Sequence, residues 1–359
     1  MTDRRFQRFS SALGCAALLL GCASLPVAAQ YEDDILDDQE RQDQRYLERY
    51  RQQEQEPEPQ VETDDSSRAE VFIALAEELI RDKNYRSFTT GRFRAQTDDP
   101  RVDPKAVVSL LENFRDYFDE FWSGTLELQP QESLSRVFLF YSFYKYNQLL
   151  EGDWRFSDVR PKGHYLDGVN AITLYTDSAA ASDLADVLIH EETHQLFGER
   201  LFTEEQPIPT WVLEGLASYF GYTYMDEEGK FHAGEIGGKK IALMRNAQAA
   251  PGREGKQQLS SLKRSMKSKT ETSRLIDVAW IKDPAAFYSR PEWSYSASWI
   301  LVHYLLHGED GAQRHAFARY LVQASHGNGG PETLLQELGI SAEKLEAAAT
   351  DHLKKLKAH

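Results

Sequence analysis

His190-Glu191-Glu192-Thr193-His194 sets two histidines four residues apart. On a helix, residues at that spacing lie on one face. Two imidazoles there can bind one zinc ion, and Glu191 then stands beside the metal, where it can accept a proton from water. An HExxH also arises by chance in roughly one chain in a hundred of this size, so a second feature has to decide. That feature is Trp211-Val212-Leu213-Glu214-Gly215-Leu216-Ala217-Ser218-Tyr219-Phe220, with 19 residues between His194 and Glu214. A catalytic zinc site takes three protein ligands and keeps one position open. Glu214, on a second helix, is a suitable third ligand. Glycine inside a helix costs ~1 kcal/mol against alanine. Gly215, with Ala217 nearby, therefore points to a helix that has to pack closely against a neighbour.

The elements that would position these residues are legible around them. Ser182 can cap a helix over about 183–197, and Asp183 and Asp186 suit its positive end. Leu184, Val187, Leu188 and Leu196 supply its core face, and Gly198 can close it. A second helix covers about 210–224. Upstream, Ser67-x-x-Glu70 reads as a capping box ahead of Val71, Phe72, Leu75 and Leu79. Phe93 to Thr97 is a short strand. Asp103-Pro104 starts a helix with the stripe Val107, Val108, Leu111, Phe114, Phe118 and Phe121. Val137 to Tyr144 reads as a buried strand. Ala171 to Tyr175 alternates, which predicts a strand with one polar side at the edge of a sheet. Downstream, 251–274 is a polar, basic surface excursion, and helices are predicted near 294–306, 311–324, 331–338 and 342–357. The fold class is α+β: a small mixed sheet with an edge strand beside the HExxH helix, then a helical C-terminal half.

The chain has 359 residues, 41 Lys+Arg and 57 Asp+Glu, hence a formal net charge of −16. That balance argues against nucleic acid as a partner, because phosphate binding draws on Lys and Arg. Cys15 and Cys22 are the two cysteines, both near the start, so a disulfide scaffold, thiolate zinc ligands and a cysteine nucleophile are excluded for the rest. Residues 1–29 read as an export signal: Arg4, Arg5 and Arg8, then an apolar run, then Val27-Ala28-Ala29. A second reading competes with it. Leu19-Leu20-Gly21-Cys22 has the form of a lipobox, which would make Cys22 a lipidated membrane tether. Both predict an extracytoplasmic protein. Residues 30–66 form an acidic, Gln-rich tether; 31–65 holds 14 acidic and 4 basic residues, too polar to bury a core. The globular domain is predicted over 67–359.

HEETH together with WVLEGLASYF resembles the gluzincin clan of zinc metallopeptidases, which share a thermolysin-like catalytic core. The second segment is similar to the WLNEGFASYF type of the aminopeptidase N family. Tyr295-Ser296-Ala297-Ser298-Trp299-Ile300-Leu301-Val302 is similar to the helix that carries a catalytic tyrosine there. As a whole, 91–357 looks closest to exported bacterial proteins with a peptidase-MA-like domain. The resemblance implies one Zn2+ per chain held by His190, His194 and Glu214, with Glu191 as general base. It implies that Tyr295 donates a hydrogen bond to the tetrahedral oxyanion, and that the substrate is a peptide or protein.

Two departures matter. The chain has no GxMEN segment, the aminopeptidase N element that grips a free amino terminus; residues 163–177 read GHYLDGVNAITLYTD instead. Asn170 and the strand after it could pair with an extended peptide by strand addition, which favours internal bonds, or form an ordinary edge. Asp167 is the nearest candidate for binding an amine. Ser218 stands where thermolysin-type proteins carry an acidic residue. The alternative from another class is an envelope binding or scaffold protein that keeps the fold and has little hydrolytic activity; it has no use for Glu191.

Other candidates carry plainer readings. His303 and His307 are four apart without a following glutamate, and His307 suits a helix C-terminus. His164 reads as a loop residue. Glu192 should face away from the metal, and Phe138, Phe140, Phe143 and Tyr144 should be core.

Overall fold

A computed structural model describes residues 65–358 except 132, 151–161, 178–180, 203–205, 207, 238–258, 262 and 265–273. The expected signal with Cys22, nearly all of the tether and most of 251–274 lie outside the described residues. The rest is mixed α and β.

Five strands form one sheet in the order β1 (Arg86–Thr89), β2 (Phe93–Thr97), β3 (Ser135–Phe140), β5 (Ala171–Tyr175), β4 (Gly163–Leu166). β2, β3 and β5 are parallel, and both edge strands, β1 and β4, run antiparallel to their neighbours. Side chains of a strand alternate between faces. Val137 and Leu139 therefore join the larger core, while Phe138 and Phe140 join a smaller one on the other face. This explains the unbroken apolar run: a central strand covered on both sides needs apolar residues at every position. The run is not all strand, however. β3 ends at Phe140 and a helix, α3 (Phe143–Leu150), takes over.

The smaller core is closed by α1 (Asp65–Ile80) and α3, with Ala76, Ile80, Tyr146 and Leu149 buried. Helix α1 already runs from Asp65, so Ser67 lies inside it rather than at its cap. The larger core is closed by α2 (Pro104–Trp122), whose start is as predicted: the Asp103 side chain accepts from the Lys105 amide and Pro104 follows. Its whole predicted stripe is buried.

Ala171 to Tyr175 is a strand but not an edge. β5 sits between β3 and β4, and Thr173 is fully buried. The edge strand beside the HExxH helix is β4, four residues containing Gly163, His164 and Tyr165. His164 is accordingly a strand residue and not a loop residue.

Beyond the sheet come α4 (Ala181–Arg200) and α5 (Thr210–Gly221), then a hairpin of β6 (Thr223–Met225) and β7 (Phe231–Ile236). Helix α4 runs past both predicted ends, so Ser182 and Gly198 lie within it. The C-terminal half is helical: α6 (Pro284–Tyr288), α7 (Pro291–His307), α8 (Arg314–Ser325), α9 (Pro331–Leu338) and α10 (Ala342–Lys355). The four predicted helices correspond to α7 to α10; α6 was not anticipated. Among the described residues no helix is long and apolar enough to cross a membrane.

Candidate metal centre

Helix α4 presents His190 and His194 one turn apart, with their ring planes nearly perpendicular and Nε2 atoms 3.2 Å apart. Its opposite side is anchored by Leu184, Ala185, Leu188, Ile189 and Leu196, all buried. Helix α5 is buried on nearly every side, as expected of an apolar helix threaded through a core. It brings Glu214 to the histidines: Oε2 lies 3.3 Å from His190 Nε2 and 3.7 Å from His194 Nε2. These three residues are the one group of potential metal ligands of this kind among the described residues.

The spacing of Gly215 has its predicted cause. A Cβ there would sit 2.8 Å from Val302 Cγ2 and 3.0 Å from the Ser298 carbonyl oxygen, both on α7. Only glycine lets α5 approach α7 this closely, and Glu214 is the adjacent residue.

Do the three residues fit zinc? Bonds of about 2.0–2.2 Å at tetrahedral angles put neighbouring ligand atoms about 3.3–3.6 Å apart. The observed 3.2, 3.3 and 3.7 Å straddle that range. Glu214 Oε2 is buried and has no hydrogen-bond partner. A buried carboxylate oxygen left in that state is costly unless something positive meets it. The donor set, two imidazoles and a carboxylate, is one that zinc accepts.

Electrostatics follow from the same convergence. Burial alone would raise the Glu214 carboxyl, yet the His190 and His194 imidazoles outweigh it and hold it well below the usual range. Burial opposes a charge on His194, but Glu214 raises it overall.

Glu191 is buried, and its Oε2 accepts a hydrogen bond of 2.8 Å from the Tyr165 amide of β4. The edge strand thus fixes the carboxylate next to the metal ligands. Gly163 permits this: a Cβ there would meet Val187 Cγ1 at 2.9 Å and Glu191 Cγ at 3.3 Å. A main-chain donor has no side-chain signature, so nothing in the sequence pointed to it.

Tyr295, near the start of α7, is half-buried with its ring 6.4 Å from that of His190. Burial first, and then the Glu214 carboxylate, push its phenol well up, so it carries its proton at neutral pH. A second phenol, Tyr288, was not anticipated: its hydroxyl donates to Glu214 Oε1 at 2.7 Å. A local signal was present. Asp283-Pro284 repeats the cap-and-proline start of Asp103-Pro104, and the Asp283 side chain accepts from the Ala285 amide. Helix α6 is then tied to α7, since the Ser294 hydroxyl donates to the Phe287 carbonyl.

The other candidates are engaged with other partners. Glu192 is fully buried, and burial pushes its carboxyl well up despite Arg115. Asn170 adopts a left-handed conformation and is engaged by Gln195 and Ser133, and Asp167 is exposed and accepts from the Tyr165 hydroxyl. His164 Nδ1 meets the Tyr146 hydroxyl at 3.3 Å. His303 bridges the Gly234 carbonyl and His352, and His307 meets Tyr219. Phe138 and Phe140 are core, while Phe143 and Tyr144 are half-buried.

Residues 184–328 match the model of a family described as a protein of unknown function (DUF1570). The matched stretch opens inside α4 and includes His190, Glu191, His194, Glu214, Tyr288 and Tyr295. No curated protein matches the chain.

Proposed function

We propose that the protein is a zinc-dependent peptidase of gluzincin type, with His190, His194 and Glu214 as metal ligands. The reading rests above all on one observation: three ligand atoms from α4 and α5 converge at zinc-like separations, with an unpartnered buried carboxylate oxygen among them. An antiparallel edge strand beside the HExxH helix and a following helix that brings Glu214 also support a thermolysin-like core.

Zinc, when bound, supplies Lewis acidity, polarising a substrate carbonyl and lowering the pKa of water. The chain's own groups do the rest. Glu191, oriented by the Tyr165 amide, accepts a proton from the attacking water and passes it to the departing amine. Tyr295, protonated and within the same aromatic cluster as His190, donates to the oxyanion that develops on the carbonyl oxygen. The bond broken is the amide C–N; the products are a carboxylate and an amine.

Substrate mode follows from what lines the site. Among the described residues β4 is an edge strand of the sheet, a placement that suits strand addition by an extended peptide. The chain lacks a GxMEN segment to hold a free amino terminus. We therefore assign cleavage to internal bonds of unstructured segments, outside the cytoplasm, the location expected from the sequence of residues 1–29.

The test is elemental analysis of the purified full chain followed by digestion of a peptide library. About one zinc per chain, lost in His190→Ala, His194→Ala or Glu214→Ala, supports the metal site. Similar cleavage of a peptide with a free and with an acetylated amino terminus supports internal action. Zinc without cleavage of any peptide would favour the scaffold alternative. A chain with no transition metal would overturn the reading.

A further inference from the structure

A carboxylate that ligates a metal has two oxygens, and what happens to the second decides whether it binds through one or both. In Glu214 the two are unequally placed. Oε2 faces His190 and His194 and has no hydrogen-bond partner, whereas Oε1 accepts from the Tyr288 hydroxyl at 2.7 Å. We propose that Tyr288 is a positioning residue of the metal centre: its phenol occupies Glu214 Oε1 and so restricts the carboxylate to a single metal bond through Oε2. The proposal rests on the metal-site reading above and adds to it the reason that a coordination position stays free.

The argument is one of geometry. A catalytic zinc needs an open position. A carboxylate able to rotate would bring its second oxygen to the metal and fill it. The Tyr288 hydroxyl removes that freedom, because a carboxylate only accepts and a phenol can donate one proton to it. The donor is itself held. Tyr288 ends α6, whose start is fixed by the Asp283 cap and Pro284. The Ser294 hydroxyl clasps the preceding carbonyl, that of Phe287, to α7. The Tyr288 ring meets the edge of Phe287 at 5.4 Å between centroids and lies 6.5 Å from Tyr295.

Placement argues against a purely structural role. The Tyr288 side chain is not core: the residue is 42% exposed. Its hydroxyl is nevertheless aimed at the one carboxylate of the candidate metal group. Outer partners of metal ligands are worth about 10–100-fold in metal affinity.

The experiment uses the full chain and its Tyr288→Phe variant, with zinc and cobalt(II) as probes. The variant keeps the ring and loses only the hydroxyl. The zinc dissociation constant, from competition with a chelator, is expected to rise about 10–100-fold. The melting temperature of the metal-free protein is expected to stay the same. The visible absorption of the cobalt-loaded protein is expected to weaken, because a carboxylate that binds through both oxygens turns a four-coordinate ion into a five-coordinate one. Wild-type affinity together with a wild-type cobalt spectrum would overturn the proposal. So would a metal-free variant that melts lower by as much as its affinity loss, which would mark Tyr288 as structural. A wild-type chain that takes up neither metal would overturn the metal site itself.

Discussion

Replacing Gly215 by alanine adds one methyl group between α5 and α7. Its carbon would lie 2.8 Å from Val302 Cγ2 and 3.0 Å from the Ser298 carbonyl oxygen. Unstrained contacts between carbon atoms are about 3.5–4.0 Å, so roughly 0.7–1.2 Å of separation from Val302 Cγ2 has to open. The valine tip can give a little. The Ser298 oxygen is main chain inside α7 and cannot turn aside. Overfilling of this kind costs about 1–3 kcal/mol, and taking a glycine out of a helix interior returns ~1 kcal/mol. The net loss expected is about 0–2 kcal/mol, a fall of at most several degrees in melting temperature at ~2–4 °C per kcal/mol. The effect on metal is expected to be larger than this suggests. Glu214 is the neighbouring residue, and ligand distances tolerate only about ±0.2 Å. Zinc affinity should therefore drop at least about tenfold, the equivalent of a 1.4 kcal/mol change in a single interaction. The assay is thermal unfolding of the metal-free proteins beside a chelator-competition titration. A variant that melts above wild type would show that helix propensity decides and that the α5–α7 contact is not limiting. Unchanged zinc affinity would refute the link between the glycine and the carboxylate.

Glu191→Gln should retain zinc and the fold but lose hydrolysis by about 10²–10⁴-fold, because the proton acceptor is gone and the ligands are not; metal content and turnover measured on one sample check it. Tyr295→Phe should lower turnover by roughly 10²-fold, the loss typical of one oxyanion donor, and unchanged turnover would remove Tyr295 from the mechanism. Acid should weaken the fold through α7. Burial, with the Arg314 charge facing His307 and His352 facing both rings, lowers His303 to about 3 and His307 to about 4. Both are neutral in the folded state, whereas the unfolded chain protonates them below about pH 6.5. The unfolded state then binds more protons, so this contribution is complete above pH 6.5 and is lost as pH falls towards 4 and 3, at up to about 1.4 kcal/mol per pH unit for each histidine. Urea unfolding of wild type and of a His303→Asn, His307→Asn double variant from pH 7 to 4 should show a shallower slope in the variant; equal slopes would dismiss these histidines as the source.

The helices were the most legible part of the fold. The predicted stripe of α2 is buried in full, and Asp103-Pro104 caps it as read. Helices α7 to α10 lie within a few residues of expectation because a 3.6-residue period survives in any context. Strands were less legible for a definite reason. A run such as Val137 to Tyr144 is apolar throughout, so its period carries no information about where β3 ends and α3 begins. Ala171 to Tyr175 alternates, yet Thr173 faces the smaller core rather than solvent. Alternation alone implies an exposed face and an edge position, yet β4 covers β5. β4 itself has four residues, Gly163 among them, and offers almost no propensity to read.

The candidate site divides along the same physical line. His190, Glu191, His194 and Glu214 could be named from sequence because their chemistry resides in the side-chain type, and the spacing on two helices confines where they can point. What surrounds them resides elsewhere. Glu191 is held by the amide of Tyr165, 26 residues away, and every residue but proline offers an amide. Gly163 matters for the atom it lacks: one Cβ would push β4 off Glu191. Tyr288 reaches Glu214 across 74 residues of chain, and only the docking of α6 against α7 brings the two together. Its local signal, Asp283-Pro284, predicts a helix start and not a partner. A sequence thus discloses the groups that do chemistry sooner than the groups that aim them. The aiming groups act through main chain, through missing atoms and through distant contacts, and the Tyr288 hydroxyl on Glu214 Oε1 is the case in which that difference bears most directly on the metal.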